Sequence, residues 1–377
     1  MIGDKQVKII RILLVFFVTV GVFSVTPAFA SEKTIDEYYM DDVDNEHGAY
    51  EELERFLYSD ILDGYKEVGV YEEDGEKYEY TSILIKPENN ITRAQFTKIL
   101  VNAMNLTNGD IKKTFPDVKT SDWYYDYVQI ASSRGIITGK ENGTFKPFDK
   151  ITRAQMAAMI YRAFKPTVDF SATGKVFKDV DKGNFAYEAV VKSAAMGIIK
   201  GYGDEFRPNN NATRSQAVLM IDRALHLEPG KAEDEAAVIQ TVNRYITEES
   251  LYTEQGDLKA LEALYRETTM GYQLAYSLDS ISMGDDTEDL DGSIKMEQVG
   301  KHSISVLSLK NRFAEIKVDN LKYNVSINEP DLSFNMTIDL SGTVFLKKTE
   351  DGTWKIYNLV YDDEDYENML MSAAAGH

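Results

Sequence analysis

Apolar positions follow a helical period over the first 230 residues of the chain. Spacings of three and four residues predict helices, because such positions lie on one helix face. The stripes are Phe96, Ile99, Leu100 and Ala103; Tyr124, Val128 and Ala131; Met156, Ile160 and Phe164; and Ala217, Ile221, Ala224 and Leu225. A less regular stretch over residues 50–62 is predicted as a further helix.

The period changes beyond Pro229-Gly230, where we place a domain boundary. Two more helices are predicted first, one around residues 238–246 and one over 258–266. Apolar and polar residues then alternate, as in antiparallel strands with one buried face. The alternating segments are 321–327 and 332–340, and Asp351-Gly352 is a hairpin turn that leads into a strand over 354–361.

A short motif occurs three times, and each copy has an arginine six residues after a proline. The copies are Lys86-Pro87 with Ile91-Thr92-Arg93-Ala94-Gln95, Lys146-Pro147 with Ile151-Thr152-Arg153-Ala154-Gln155, and Arg207-Pro208 with Ala212-Thr213-Arg214-Ser215-Gln216. Successive arginines are 60 and 61 residues apart. A fixed period of this kind predicts supersecondary units that stack and share a core.

Units two and three match beyond this motif, and each is predicted as helix, glycine-containing loop and helix. The matching pairs are Phe115-Pro116-Asp117-Val118 with Phe177-Lys178-Asp179-Val180, Asp122-Trp123 with Asn184-Phe185, Gly135-Ile136-Ile137 with Gly197-Ile198-Ile199, Gly139 with Gly201, and Phe145-Lys146-Pro147 with Phe206-Arg207-Pro208. Unit one is divergent. Asp60 stands at the position of the first glycine, and an insertion of roughly residues 65–81 replaces the short loop.

These patterns divide the chain into seven segments. They are a signal peptide (1–30), an acidic leader read as a linker (31–47), repeat one (48–110), repeat two (111–168), repeat three (169–230), an α+β domain (235–366) and a tail (367–377).

The first thirty residues have the composition of an export signal. Lys5, Lys8 and Arg11 precede an apolar run over 12–25, and Ala28-Phe29-Ala30 is a small-x-small cleavage site. The run is short for a membrane span, although an uncleaved anchor is the alternative. We expect a mature chain that begins at Ser31 and has no membrane span.

Charge and cysteine content narrow the classes of function. The 377 residues carry a net charge of -21, which argues against binding to nucleic acid or to anionic lipid. The chain has no cysteine, so disulfides, thiol catalysis and thiolate metal sites are excluded.

The repeated Thr-Arg-x-Gln motif has a structural explanation in part. Thr92, Thr152 and Thr213 are predicted N-caps, and Gln95, Gln155 and Gln216 complete three capping boxes. The arginine is unfavourable at the positive end of a helix dipole. Two explanations remain open: an internal ion pair with a neighbouring unit, or capture of an external anion by guanidinium and free helix N–H groups.

With these residues laid out, the middle of the chain resembles the S-layer homology family. The motifs that carry the resemblance are Phe115-x-Asp117-Val118, Trp123-Tyr124, Gly135-Ile136-Ile137-x-Gly139, Phe145-x-Pro147 and Ile151-Thr152-Arg153-Ala154-Gln155. They recur over residues 177–216 and, more weakly, over 50–95, so the resemblance covers roughly half of the chain.

The resemblance implies a mainly helical, pseudo-threefold triplet that holds exported proteins on Gram-positive-type cell walls. The ligand of such triplets is a secondary cell wall polysaccharide, commonly with a pyruvate ketal on N-acetylmannosamine. By motif position, Arg93, Arg153 and Arg214 would contact the ligand carboxylate. Four further positions would line the grooves: Asp122, Trp123, Gly139 and Gly201.

This sequence departs from the family pattern at two places. All three motifs carry Gln where Glu is usual, so each groove loses a negative charge. Unit three has Asn184-Phe185 in place of Asp-Trp, and unit one lacks the pair. We therefore expect the grooves to bind unequally.

The order of elements in residues 235–366 resembles the nuclear transport factor 2-like (SnoaL-like) cone, in which helices pack on a curved antiparallel sheet. We expect a multidomain protein in which the triplet anchors the chain and this module has a binding or structural role, with an unidentified ligand or protein partner. The alternatives are a wall-anchored enzyme with its active site in the cone pocket, and a structural lattice protein, for which the chain is short.

Candidate catalytic and metal residues are few. The histidines are His47, His226, His302 and His377, the carboxylates at one helix end are Glu248, Glu249 and Glu254, and an acidic loop holds Asp285, Asp286, Asp289 and Asp291. His302 is interpreted as structural and the three glutamates as a solvated helix end. The aspartate spacing fits no EF-hand calcium loop. We therefore predict no catalytic residue, no metal and no cofactor.

Overall fold

A computed structural model describes residues 33–73, 76–110, 113–283, 294–329 and 332–362. The predicted signal peptide (1–30), the four aspartates of the acidic loop and the tail (367–377) lie outside these residues.

The described residues combine helices with antiparallel sheets. The helices are α1 (Tyr50–Tyr58), α2 (Arg93–Ala103), α3 (Tyr125–Ser133), α4 (Arg153–Phe164), α5 (Tyr187–Ala195), α6 (Arg214–Leu227), α7 (Ala232–Gln255), α8 (Leu258–Thr268) and α9 (Gly271–Met283). The strands are β1 (Tyr65–Glu73), β2 (Glu76–Leu84), β3 (Ile294–Gln298), β4 (Ser303–Leu309), β5 (Phe313–Asp319), β6 (Lys322–Glu329), β7 (Leu332–Asp339), β8 (Gly342–Lys348) and β9 (Trp354–Tyr361).

Helices α2, α4 and α6 begin at the three repeated arginines, and the predicted threonine caps are confirmed. Each threonine hydroxyl accepts a hydrogen bond from the backbone N–H of the glutamine three residues later. Gln95 and Gln155 reach back to complete the capping box. The predicted third box is incomplete, because the Gln216 side chain does not accept from the Thr213 N–H. The Thr213 hydroxyl also contacts that of Ser215, which stands where the other units have alanine.

The loops before these helices hydrogen-bond to one another in a closed triangle. The N–H of Ile91 donates to the carbonyl of Ala212, that of Ala212 to Ile151, and that of Ile151 to Ile91, at 2.9–3.1 Å. Three isolated bridges accompany these bonds. Because buried peptide groups need partners, this triangle ties the three repeats together at one end.

The acidic leader belongs to the folded structure, so the linker interpretation is wrong for residues 33–47. Tyr38 and Val43 are buried in the core, and Ile35–Tyr38 forms a 3-10 turn. Asp42 accepts the N–H groups of Ile85 and Lys86 at 2.6 and 2.7 Å.

Asp117 and Asp179 have the role of Asp42 in units two and three. Asp117 accepts the N–H groups of Phe145 and Lys146, and Asp179 accepts those of Phe206 and Arg207. Met40-Asp41-Asp42-Val43 is thus the counterpart in unit one of the Phe-x-Asp-Val motif. The sequence did not reveal this counterpart, because Met40 stands in place of Phe and Asp41 in place of Pro or Lys.

Unit one differs from the other units at Asp60 and at the insertion, but at Asp60 it keeps their backbone conformation. Asp60 has a φ of 56°, and the matching Gly135 and Gly197 have 72° and 74°. The left-handed conformation is therefore retained, with an aspartate as one of the residues that tolerate it. The insertion forms a hairpin in which β1 pairs with β2 over its whole length.

The C-terminal region confirms the predicted helix from Leu258 and the last strand, but it adds elements that the sequence did not reveal. Helix α9 and strands β3 and β5 were not predicted, whereas β4 follows the strand start expected at His302 and β8 precedes the predicted hairpin turn. The expectation of one curved sheet is also modified. Hydrogen bonds define two sheets, with strand orders β3-β6-β7 and β4-β5-β8-β9, and all pairings are antiparallel.

Two apolar clusters form the core, and the first crosses the predicted boundary near Pro229. It contains the repeat helices together with Ala275, Phe313 and Tyr357 from the C-terminal region. The Tyr58 ring stacks on Tyr272 with centroids 4.2 Å apart. The segment that joins the repeats to the C-terminal region is also held in place, because buried Glu228 pairs with Arg312 at 2.8 Å.

Among the helices described here, none is both long enough and apolar enough to cross a membrane.

We predict that Asp42→Ala lowers the free energy of unfolding by about 2 kcal/mol, because two backbone N–H groups, one of them part-buried, lose a charged acceptor. Urea unfolding measures this loss. The matched control is Asp36→Ala in the same segment, which we expect to have an effect within about 0.5 kcal/mol. An equal effect of both substitutions would mean that residues 33–47 do not contribute through Asp42.

Candidate functional site

The three repeated arginines are buried at the first position of their helices. Arg93, Arg153 and Arg214 are 6%, 4% and 4% exposed. Each guanidinium points to the next unit: Arg93 to unit two, Arg153 to unit three, and Arg214 back to unit one. The three inter-unit contacts therefore run in one cyclic direction.

Each guanidinium donates through Nε to a backbone carbonyl of the neighbouring unit. The acceptors are the carbonyls of Phe145 for Arg93, Phe206 for Arg153 and Ile85 for Arg214, at 2.7–2.8 Å. The residues that supply these carbonyls are equivalent, since each precedes the basic residue of a basic-Pro pair. The arginine thus holds the loop of the next unit in place.

The outer guanidinium nitrogens donate to neutral oxygens. Nη1 of Arg93 and of Arg153 donates to Oε1 of Gln155 and of Gln216 at 3.3 and 3.2 Å. Arg153 Nη2 donates to the carbonyl of Lys200 at 3.3 Å, and Arg214 donates to Tyr65 Oη and the Asp63 carbonyl at 3.2 and 3.1 Å.

No aspartate or glutamate side chain in the described ranges forms an ion pair with these three arginines, so the internal ion-pair explanation is not supported. Burial lowers the pKa of Arg93, Arg153 and Arg214 because it disfavours the charged form. A guanidinium keeps its proton at neutral pH even so. Within the described residues, each guanidinium lies at a contact between two units, which we call a cleft, and carries a positive charge that no carboxylate side chain neutralises.

The expectation of free helix N–H groups at this site is wrong. The N–H of Arg93 donates to the Asp149 carbonyl at 3.0 Å, and the N–H of Ala94 donates to the Pro147 carbonyl at 2.9 Å. The equivalent groups of the other two helices donate to equivalent carbonyls. Only the side-chain guanidinium remains for a ligand.

The clefts differ in the side chain that lies beside the arginine. Arg153 lies 5.0 Å from the centre of the Tyr202 ring, and Arg214 lies 4.8 Å from that of Tyr65. At the position of Tyr202, unit two carries Lys140, which pairs with Asp149 at 3.4 Å. Two clefts therefore present a tyrosine to a ligand, and the Arg93 cleft presents a second cation.

The predicted glycines lie near the arginines. Gly201 follows Lys200, whose carbonyl binds Arg153, and a Cβ at Gly201 would lie 2.2 Å from the Phe177 ring. Gly139 has a φ of 77° and packs against Phe115. Both positions require glycine because the loop backbone approaches an aromatic ring of its own unit.

The predicted Asp-Trp pair contacts residues of its own unit, and among the described residues it has no contact with any of the three repeated arginines. Asp122 Oδ2 accepts the N–H of Lys119 at 2.7 Å and thereby closes the turn before α3. The Trp123 ring is 53% exposed and meets Tyr124 edge-on at 5.3 Å. The Tyr124 ring in turn meets that of Phe148. Phe148 precedes Asp149, whose carbonyl accepts the N–H of Arg93 at the start of α2.

Sequence reasoning missed Tyr65 and Tyr202 as cleft residues. Tyr202 comes directly after the aligned Gly201, so its position was a usable signal. Tyr65 lies in the insertion, where no alignment applies, and it reaches the Arg214 cleft only because β1 starts there. Its hydroxyl also accepts from Gln95 Nε2 at 2.7 Å.

A cavity of about 340 Å3 lies near Lys33, Asp60, Asp63 and Lys98. These charges neutralise one another: Lys33 pairs with both aspartates at 2.8 Å, and Lys98 pairs with Asp63 at 2.5 Å. The cavity therefore lacks the uncompensated charge that distinguishes the arginine clefts.

One of the three helix-end glutamates differs from expectation. Glu254 is exposed and Glu248 pairs with Arg244, as a solvated face requires. Glu249 instead turns inward, where Tyr265 Oη donates to it at 3.1 Å and burial raises its pKa to about 7. The solvated interpretation is wrong for Glu249, because the carboxyl lies under tyrosines of α7 and α8.

The described histidines have structural partners. His302 bonds with Gln298 and Asn243 at 3.0 and 3.3 Å, and His47 bonds with the N–H of Ala49 at 3.2 Å. Asp222 raises the pKa of His226 through a hydrogen bond. Over the ranges that the structure covers, no three His, Asp or Glu side chains are grouped as metal ligands.

Comparison with known proteins identifies two domains in the chain. Residues 114–157 and 176–218 match the S-layer homology domain. These ranges contain Arg153 with its partners Lys200, Phe206 and Gln216, and they contain Arg214 itself, so the sequence-based recognition of units two and three is confirmed.

Curated relatives match part of the chain. The chain is 34% identical over 158 residues to a cellulosome-anchoring protein of Acetivibrio thermocellus, covering 40% of this chain and 35% of that protein. It is 29% identical over 160 residues to the S-layer protein sap of Bacillus anthracis, covering 41% and 19%. A middle cell wall protein of Brevibacillus brevis is 26% identical over 245 residues, covering 63% and 20%. The chain thus spans about a third or less of the length of these relatives.

We predict that Gln155→Glu raises the free energy of unfolding by about 1 kcal/mol, because Arg93 gains a carboxylate partner. The matched control is Gln95→Glu, since Gln95 donates to Tyr65 and accepts from no arginine. We expect no gain there. Urea unfolding of both variants measures the difference, and equal gains would contradict an uncompensated charge at Arg93.

The raised pKa of Glu249 predicts that stability falls as the pH increases from 4.5 to about 7. In this window the unfolded state has lost the proton that the folded state still binds, and above pH 7 the loss is complete. We expect a decrease on the order of 2 kcal/mol, measured by thermal unfolding. Glu249→Gln removes this dependence, whereas Glu248→Gln keeps it; the same pH profile in both variants would refute the assignment.

Proposed function

We propose that this chain, which carries two S-layer homology domains, is a non-catalytic protein of the cell surface. Its repeats hold it non-covalently on the cell wall by binding an acidic secondary polysaccharide. Residues 235–366 form a module that is displayed there. The observation that carries this proposal is the set of three buried guanidinium groups that have no carboxylate partner among the residues the structure describes.

Arg153 and Arg214 lie within the matched domains, and Arg93 repeats their arrangement in the divergent unit. A fixed cation in a cleft of low polarity favours a carboxylate over a neutral sugar. A pyruvate ketal supplies one carboxylate on a saccharide, which a single guanidinium can bind. The net charge of -21 opposes long anionic polymers, so recognition would depend on these few placed cations.

We further propose that the three repeats form a pseudo-threefold triplet. The closed triangle of loop hydrogen bonds and the cyclic order of the arginine contacts support this arrangement. In such a triplet the clefts face different directions around one axis. One polymer chain, or neighbouring chains, can then occupy more than one cleft, and avidity rises by about 10²–10⁴ when the spacing permits.

Unequal clefts follow from the side chains beside the arginines. The Arg153 and Arg214 clefts each offer a tyrosine ring and hydroxyl to a sugar. The Arg93 cleft offers Lys140, held by Asp149. We therefore assign most of the affinity to the two clefts with tyrosine.

The printed names of the relatives support the location. They include a cellulosome-anchoring protein, a middle cell wall protein and an S-layer protein. With the export signal expected at residues 1–30, the proposal places this chain outside the cell and at the wall.

A second candidate is a wall-anchored enzyme with its site in the C-terminal module. Glu249 favours it, because a carboxyl with a pKa of about 7 beside Tyr265 and Tyr245 has the properties of a general acid. A thermal-shift screen of the full chain with small molecules separates the candidates. Stabilisation by a ligand in the parent chain, lost in Glu249→Gln, would favour this alternative.

For the anchor, we predict that Arg153→Ala weakens retention on purified cell wall by about tenfold or more, because a charge-assisted bond of about 1.5–3 kcal/mol is removed. Pelleting with wall material measures retention. Removal of the ketal from the wall should weaken retention of the parent chain at least as much, because every cleft then loses its carboxylate ligand.

The matched control is Arg162→Ala, because Arg162 lies on the same helix and also donates to a carbonyl, that of Ile136. Arg153 also supports the fold through Phe206, so urea unfolding is measured for both variants. If full retention persists when Arg93, Arg153 and Arg214 are all replaced in a folded chain, the proposal is wrong.

A further inference from the structure

The hairpin inserted into unit one presents tyrosines on one face. In the β1–β2 register, Tyr65 faces Leu84, Gly69 faces Tyr80, and Tyr71 faces Tyr78. Side chains alternate along a strand, so these positions share a face. Val68, Val70 and their partners lie on the opposite face.

The tyrosines of this face are ordered by one another and remain accessible. Tyr71 stacks on Tyr78 with ring centroids 5.3 Å apart, and Tyr80 lies 6.2 Å from Tyr71. The three rings are 42–50% exposed. The Tyr80 ring crosses Gly69, where a Cβ would approach ring atoms to 2.3 Å, so glycine lets this ring lie flat on the strand.

The tyrosine face begins at the Arg214 cleft. Tyr65, at the base of β1, stacks on Arg214 and accepts from it, and the row continues outward through Tyr80 to the Tyr71–Tyr78 pair. At about 3.3 Å per residue, the row extends about 20 Å from the cleft. That length accommodates several sugar residues of a chain whose acidic end lies at Arg214.

We propose that this face is an extended saccharide subsite, on which neutral hexopyranose or N-acetylhexosamine residues stack as they leave the Arg214 cleft. The inference rests on the proposed function of that cleft and names the further length of the same ligand. Tyrosine suits such a ligand, because its ring covers the apolar C–H face of a sugar and its hydroxyl bonds with sugar hydroxyls.

The negative charge of the hairpin favours a neutral saccharide over nucleic acid or anionic lipid. The described strands of the hairpin carry five glutamates and two lysines, so nucleic acid and anionic lipid are repelled. A simpler role for the tyrosines is to stabilise an isolated hairpin through cross-strand pairs, which two-stranded sheets require. The experiment below separates that role from binding.

The test variant is Tyr71→Thr/Tyr78→Thr/Tyr80→Thr, and the matched control is Val68→Thr/Val70→Thr on the opposite face. Threonine keeps a high strand propensity in both. Binding of each full chain is measured by calorimetry with two probes: purified pyruvylated wall polysaccharide, and a pyruvylated N-acetylmannosamine monosaccharide that fills only the cleft.

We expect the tyrosine variant to bind the polysaccharide about tenfold more weakly and the monosaccharide as the parent chain does. The valine variant should match the parent with both probes. In an Arg214→Gln background, the tyrosine substitutions should no longer weaken polysaccharide binding. Arg214 then no longer holds the acidic end of the chain whose further sugars stack on the tyrosines, so the two sites no longer act on one ligand.

Four results would overturn the inference. Unchanged polysaccharide affinity of the tyrosine variant would remove the subsite and leave the anchor intact. Equal losses with both probes would place the defect in the Arg214 cleft. A parent dimer that the tyrosine variant dissociates, with unchanged polysaccharide affinity, would assign the face to self-association. If the parent chain binds neither probe, the proposed function itself fails.

Discussion

A buried arginine that donates to a carbonyl of the next repeat is the interaction on which the repeat region depends. It appears three times in cyclic order and is reinforced by the triangle of backbone bonds between Ile91, Ile151 and Ala212. The energy of such a contact comes from satisfying polar groups that burial would otherwise leave unpaired. The same contact fixes a guanidinium between two units, so the side chain that holds the fold together is also the one to which we assign anion binding.

The glutamine after each arginine decides the electrostatics of the clefts. Gln95 and Gln155 cap their own helices as a glutamate would, and Gln155 and Gln216 offer Arg93 and Arg153 only a neutral oxygen. The clefts therefore keep a net positive charge within a protein of charge -21. Under the proposed function, this contrast would direct an acidic ligand to a few points on an otherwise repulsive surface.

Much of the repeat region was predictable because its signals are local. Thr92 and Thr152 with their glutamines specify helix starts, and the apolar stripes specify which face is buried. Asp42 and Asp60 show the limit of that approach. Each takes the structural role of its counterparts, Asp42 by its carboxylate and Asp60 by its left-handed backbone, yet the surrounding residues had changed enough to make the first segment read as a linker. Glu249 was misread for a related reason, because helix periodicity does not tell which neighbour covers a helix end.

By itself the sequence determined the repeat, its three arginines, the helix caps, the excess of negative charge and the alternation of the later strands, since each depends on residues close together in the chain. Only the tertiary structure decided that helix N–H groups are already paired across units, that Tyr65 from an insertion completes the Arg214 cleft, and that two sheets form where one was expected. Those outcomes depend on contacts between residues far apart in sequence, such as Tyr65 and Arg214, whose pairing no local pattern encodes.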